Sequence, residues 1–225
     1  MTAQLDKDVN RRRIAWRVAK EMKDGDIVNL GIGLPTLVAN EVGSNIELLL
    51  QAENGLLGID KLASEEDSDT DLVNAGGQSI TAIQGSCYFD SADSFAIIRG
   101  GHVDTTVLGA LQVDQQGNLA NWIIPGKMVP GIGGAMDLVV GAKKVIVAME
   151  HTAKGKAKLL KHCTLPLTAT GQVNLIVTEM GVFRITELGM ELIELAPEFS
   201  VEDVQSHTEA NLIVSSNLIP MPIPG

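Results

Sequence analysis

Apolar residues in this chain come in short runs, and run after run stops at a glycine. Ile27 to Leu30 leads into Gly31-Ile32-Gly33; Pro35 then suits the first turn of a helix reaching about Val42, and Gly43 stops it. Ile46 to Gln51 follows as a strand that meets the turn formers Glu53-Asn54-Gly55. Strand, glycine turn, helix, strand is the order of a parallel βαβ unit. The chain is 45% hydrophobic but only 3% aromatic, so its core must be aliphatic, and 20% charged residues exclude disorder and coiled coil. No flexible linker or internal repeat interrupts the 225 residues. The expectation is one α/β domain over 1–225: an open, mainly parallel sheet with flanking helices and an antiparallel C-terminal portion.

The remaining segments fill in that plan. Ile14, Val18 and Met22 recur at helical spacing with Arg11, Arg17, Lys20 and Lys23 between them, which predicts an amphipathic first helix ended by Asp24-Gly25. Asp60 to Asp71 holds six acids against one lysine and predicts a solvated loop. Asp90 to Arg99 predicts a helix capped by Asp90 or Ser91 and closed by Gly100-Gly101. A strand-like segment, Val103 to Val113, and a turn at Asp114 to Asn118 come next. The glycine-rich loop Pro125 to Gly134 feeds a short apolar helix over Ala135 to Ala142, then a strand at Val145 to Met149. Leu175 to Thr178, Val182 to Thr186 and Met190 to Leu195 predict a meander, and 201–209 a last helix.

Charge and composition remove several functions. A formal net charge of −11 repels phosphate backbones, so no nucleic-acid partner is expected. Cys87 and Cys163 match no zinc, haem or redox spacing and predict reduced, packed thiols. The acids and the Arg11-Arg12-Arg13 triplet near the start do not form a signal or transit peptide, and the apolar window Leu119 to Ala142 is broken by Lys127, Asp137, prolines and glycines. A cytoplasmic protein without a membrane partner is expected. His102, His151, His162 and His207 are scattered, with no His-Glu-x-x-His pattern and no Gly-x-Ser-x-Gly elbow, so no metal site and no serine hydrolase is predicted.

Candidates for chemistry lie in the loops. Gly31-Ile32-Gly33 follows a strand and precedes a helix, where backbone N–H groups can hold an anion or oxyanion. It is not a dinucleotide fingerprint, because the third glycine position is Thr36 and Pro35 precedes it. Gly131-Ile132-Gly133-Gly134 lacks the Lys-Ser/Thr of a phosphate loop, since Ala135-Met136 follow. Glu53, after Leu48-Leu49-Leu50, stands at the carboxyl end of a strand, where open α/β sheets bind ligands. Lys143, Lys144, Lys154, Lys156, Lys158 and Lys161 cluster within a largely acidic chain, either as a solvated loop or as a polyphosphate contact.

Taken together, Asn29-Leu30-Gly31-Ile32-Gly33-Leu34-Pro35-Thr36, Glu53-Asn54-Gly55-Leu56-Leu57-Gly58, Val73-Asn74-Ala75-Gly76, Arg99-Gly100-Gly101-His102-Val103-Asp104 and Gly133-Gly134-Ala135-Met136-Asp137-Leu138 resemble the beta subunit of family I (3-oxoacid) CoA-transferases. The resemblance runs from about Arg11 to Leu212, and Asn121-Trp122-Ile123-Ile124-Pro125-Gly126-Lys127-Met128 is similar to the acetoacetate, butyrate and succinate branch. Ala52 stands where the family usually has serine. The resemblance implies Glu53 as nucleophile, Asn29 as the residue orienting it, and Gly134 as an oxyanion donor. Gly31, Gly33, Asn54 and Gly133 are implied in binding coenzyme A, a substrate rather than a bound cofactor. It also implies an alpha-subunit partner in an alpha2beta2 assembly, with acyl-CoA and short carboxylic acids as substrates. The same general architecture also serves sugar-phosphate isomerases and ligand-sensing subunits.

Overall fold

A computed structural model describes residues 7–126 and 133–224. Lys127 to Ile132, which carry part of the second glycine-rich loop, lie outside the described residues. The first helix, α1 (Lys7–Ala19), buries Ile14, Ala15, Val18 and Ala19 as its spacing predicts. Its basic residues are not all on a solvated face: Arg17 is buried and grips Glu194 through Nε at 2.7 Å and Nη2 at 2.6 Å. Arg13, also buried, grips Glu198 at 2.6 and 2.9 Å. Two-pronged pairing matches a guanidinium's charge out of water, and here it staples the N-terminal helix to the C-terminal part of the chain.

Among the described residues, ten strands form the main sheet: β1 (Ile27–Leu30), β2 (Leu49–Ala52), β3 (Leu56–Leu62), β4 (Ile80–Tyr88), β5 (Thr105–Leu108), β6 (Lys144–Ala148), β7 (Leu175–Val177), β8 (Gly181–Thr186), β9 (Gly189–Leu195) and β10 (Ile213–Pro220). Their order is β10-β9-β8-β7-β6-β5-β1-β2-β3-β4. From β7 to β2 the neighbours are all parallel, and these strands are buried on both faces. In β6, Ile146 and Ala148 join the core with α1, whereas Val145 and Val147 join the core on the other face with Phe183 and Val204. Two-sided burial explains why the runs read as continuous aliphatic stretches and not as alternation.

The predicted mainly parallel α/β sheet is present, with the C-terminal antiparallel turns β7-β8-β9. Three features differ from expectation. An antiparallel ribbon, β2-β3-β4, flanks the other side; β3 carries on through Asp60, whose Oδ2 accepts from Thr81 Oγ1 at 2.9 Å, so the solvated acidic loop begins only after Leu62. Most of β4 is exposed at the sheet edge, which left no apolar signal to read. Last, β10 returns parallel to β9.

Among the helices, Leu34–Glu41 is a 3-10 helix. α2 (Ser91–Arg99) is capped by Asp90, whose Oδ1 accepts from Asp93 N at 2.9 Å, and α3 (Ala135–Gly141) packs against it. α4 (Val201–Ser206) starts with a capping box between Ser200 and Asp203. The predicted strand over Val103 to Val113 divides at Gly109: β5 stays in the main sheet, and Gln112–Asp114 joins a small sheet with Leu119–Ala120 and Leu159–Leu160. No helix among the described residues is long and apolar enough to cross a membrane.

Candidate active site

The chain runs from β1 outward to β2, β3 and β4, then returns to the other side of β1 with β5, so the strand order reverses at β1. Open α/β sheets bind ligands at such a reversal, outside the carboxyl ends of the strands. A cavity of about 680 Å³ opens there. Asn29 to Ile32 from the end of β1, Gln51 to Glu53 from the end of β2, and Leu108 to Leu111 after β5 line it, together with Asn74 to Gly76, Gly133, Gly134 and Ala135.

Glu53 sits one residue past β2, half-buried, at the start of the turn into β3. That turn is possible only with glycine at position 55: its φ is +124°, and a Cβ there would fall 2.0 Å from the Phe89 carbonyl oxygen. Asn29, 1% exposed on β1, donates from Nδ2 to Glu53 Oε2 at 3.2 Å, to the Gln51 carbonyl at 3.1 Å and to Gln51 Oε1 at 3.0 Å. The in-register pairing of Asn29 with Gln51 across two parallel strands sets this geometry.

Gly134 caps α3 and lies against the same carboxylate. A Cβ on it would approach Glu53 Cγ to 3.3 Å and Phe95 Cζ to 3.2 Å, so the missing side chain is what lets this backbone reach Glu53. α2 holds it there. Gly141 at the end of α3 sits where a Cβ would be 2.3 Å from the Ile98 carbonyl, and Arg99 Nε pairs with Asp137 at 2.7 Å.

The structure therefore brings Glu53, Asn29, Gly134, Gly133 and Gly31 to one cavity. Gly31 is held there by its N–H bond to the Val107 carbonyl at 2.8 Å, and a Cβ on it would fall 3.1 Å from Leu108 Cδ2. Gly33 and Asn54 do not line the cavity. Gly33, with φ +90°, turns the chain into the 3-10 helix, and Asn54 Nδ2 donates to the Val73 carbonyl at 2.8 Å, tethering the Asn74 loop. The motif at Arg99 to Asp104 is scaffold at the opposite end of the strands: Asp104 accepts from Lys143 Nζ and Ile27 N, and these two hydrogen bonds, the lysine's first, hold its carboxyl below the usual range.

Other expectations fare differently. The lysines disperse: Lys143 and Lys144 pair with Asp104 and Glu21, Lys154 and Lys156 are exposed, and burial pushes the Lys158 ammonium down to about 8 against Glu150 and Glu179. Cys87 is exposed, not packed, while burial lifts the Cys163 thiol to about 12. Sequence reasoning passed over Gln51 and Ser94. A glutamine inside the run Leu48 to Ala52 was a signal for the first; nothing marked the second.

The family model described as Coenzyme A transferase matches residues 11–207. The chain belongs to the coenzyme A transferase family. It is 56% identical over 209 residues to the beta subunit of the acetate CoA-transferase of Escherichia coli (strain K12), covering 92% of this chain and 95% of that one. It is 54% identical over 205 residues to one subunit of the succinyl-CoA:3-ketoacid coenzyme A transferase of Helicobacter pylori (strain J99), covering 91% and 99%. A solved acyl-CoA transferase of Escherichia coli O157:H7, a thioester complex with CoA, superposes with a TM-score of 0.77 at 26% identity over 97% of this chain. The chain spans 44% of that longer one. This family member is a transferase, and its reaction is CoA transfer.

Proposed function

We propose that this chain is the beta subunit of a 3-oxoacid-type CoA-transferase, a single domain of that kind over 1–225, which moves CoA from succinyl-, butyryl- or acetyl-CoA to a short carboxylic acid such as acetoacetate. The observation that carries it is a half-buried carboxylate at the strand-order reversal, with an amide N–H at 3.2 Å and a glycine backbone against its Cγ. The names of the acetate and succinyl-CoA relatives support the substrate class and, because each of those two is one subunit of its enzyme, an alpha-subunit partner, with which we place the chain in an alpha2beta2 assembly. The free thiols Cys87 and Cys163 suit the cytoplasm.

A carboxylate suits the task because CoA exchange between two acids is nearly thermoneutral, so the enzyme's bond must be as easily broken as the substrate's. Glu53 attacks the thioester carbonyl, forming a mixed anhydride and releasing CoA thiolate. The thiolate attacks the glutamyl carbonyl; the first acid leaves with one former Glu53 oxygen, and Glu53 is left as its CoA thioester. The second acid attacks that thioester to give a new anhydride and thiolate. Attack of the thiolate on the incoming acyl carbon then releases acyl-CoA and the Glu53 carboxylate. Each tetrahedral intermediate carries an oxyanion, for which Asn29 Nδ2–H and the Gly134 N–H are the donors. A preorganised donor of this kind is worth roughly 3 to 4 kcal/mol. Coenzyme A enters and leaves as substrate; no resident cofactor takes part.

The test is peptide mass spectrometry of the chain assembled with its partner after brief exposure to acetoacetyl-CoA without acceptor acid. The reading expects a CoA-sized adduct on the Glu53 peptide. Turnover with no adduct there would remove it.

A further inference from the structure

The buried polar groups behind Glu53 form a chain with one permitted direction. Asn29 Nδ2 faces three oxygens, namely the Gln51 carbonyl, Gln51 Oε1 and Glu53 Oε2. Turning the amide over would set its oxygen against all three, so the nitrogen must point at Glu53. That in turn orients Gln51. Its Oε1 accepts from Asn29, and its Nε2 is left to donate to Ser94 Oγ at 2.9 Å on α2. Asn29, Gln51 and Ser94 are 1%, 2% and 0% exposed, so water does not compete for these bonds.

The nitrogen has two hydrogens for three acceptors. How much of its donation reaches Glu53 therefore depends on where Gln51 holds its own side-chain oxygen, and that depends on Ser94. We propose that Gln51 and Ser94 are positioning residues for the transfer reaction, holding the Asn29 N–H on Glu53 Oε2, the oxygen that stays on the side chain, from behind the site. Ser94 does not line the cavity, and Gln51, in its wall, is 2% exposed with its side chain turned to Asn29 and Ser94. Both act through Asn29, and the amides polarise one another in the same sense along the chain. The inference rests on the reading of Glu53 as nucleophile, since the oxygen being held is the one that becomes the carbonyl of the glutamyl-CoA.

The polarity also suits every stage. As carboxylate, anhydride or thioester, Glu53 presents an acceptor at this position, and the chain answers with a donor in each case. Position 51 lies among Leu49, Leu50 and Ala52 on β2, a place where an aliphatic side chain would satisfy the core without any partner.

The experiment is a double-mutant cycle on the assembled enzyme, Ser94→Ala and Gln51→Met singly and together. It reads the single-turnover rate of Glu53-CoA formation from acetoacetyl-CoA, the KM for acyl-CoA and the melting temperature. Ser94→Ala removes one hydrogen bond from the chain and is expected to slow adduct formation about three- to tenfold with KM unchanged. Gln51→Met should slow it more. Because both act through one chain, the double variant should be no slower than Gln51→Met alone. Wild-type adduct rates in both single variants, equal changes in KM and rate, or losses that simply multiply in the double variant would overturn the proposal while leaving Glu53 as nucleophile. If Gln51→Met does not yield folded protein, the rate and KM of Ser94→Ala against wild type decide alone. A wild-type enzyme that turns over without labelling Glu53 would overturn both the nucleophile and its positioning chain.

Discussion

Two buried polar networks of similar make-up sit on opposite sides of β1, and only one of them ends in the cavity. In the first, Ser94, Gln51 and Asn29 pass hydrogen bonds from α2 through the sheet to Glu53. In the second, His151, 0% exposed, lies between two threonines: Nε2 at 2.9 Å from Thr208 Oγ1 and Nδ1 at 3.0 Å from Thr178 Oγ1. Thr208 gives its proton to the Val204 carbonyl at 2.8 Å, so Nε2 is the donor of a neutral ring and Nδ1 is an acceptor, for which the Thr178 hydroxyl proton is shared with the Gly181 carbonyl at 3.3 Å. Nothing is left over to act on a substrate. Burial, with like charge from His207 and Lys158, pushes the ring down to about 3, which keeps it neutral and inert. A strongly shifted histidine is a common pointer to a catalytic site; here the shift marks a closed structural knot. The carboxylate network is the one to which the proposed function gives the chemistry, because it terminates on a carboxylate at the cavity.

The comparison can be broken by variants at each network. Glu53→Gln should have the largest effect, abolishing turnover while circular dichroism and melting temperature stay at wild-type values, because an amide cannot form the anhydride. Asn29→Ala should lower kcat by about 100-fold, the usual effect of removing one oxyanion-type donor. Gly134→Ala places a methyl against Glu53 and Phe95 and should lower kcat by about tenfold through misplacement of the carboxylate, with little change in denaturant midpoint. His151→Leu should do the reverse. It strands two threonine hydroxyls and should destabilise by about 1 to 3 kcal/mol in denaturant titration with kcat unchanged.

pH sharpens the last case. An unfolded histidine takes a proton near its ordinary 6.5, whereas the folded ring resists until about 3. The contribution of His151 to stability is thus complete above pH 6.5 and is lost as pH falls toward 3. The stability gap between wild type and His151→Leu should narrow as pH is lowered from 7 to 4, and a constant gap would contradict the buried neutral ring.

The same contrast explains what could be read beforehand. Glu53 stood out because a carboxylate three residues past Leu48-Leu49-Leu50 falls at a strand end, and the structure sets it in the cavity wall, while Gly55 stood out because a turn must follow. The parallel core was legible since strands buried on both faces are uninterrupted aliphatic runs. β4 was not, because an exposed edge strand needs neither apolar alternation nor length. The positioning chain was hidden for a different reason: Ser94 is 43 residues from Gln51 and meets it only once α2 packs behind the sheet. Similarly, Arg17 looked like a solvated helix face until Glu194, 177 residues on, supplied its partner.

The most direct test of the central claim follows the oxygens. When the second acid displaces the glutamyl thioester and leaves as its CoA ester, one of its carboxylate oxygens must remain on Glu53. Turnover with an ¹⁸O-labelled acceptor acid, followed by mass spectrometry of the peptide containing Glu53, should show the label on that side chain and on no other carboxylate. Label-free Glu53 after many turnovers would show that CoA passes between the acids without a covalent glutamyl intermediate, and would contradict the account.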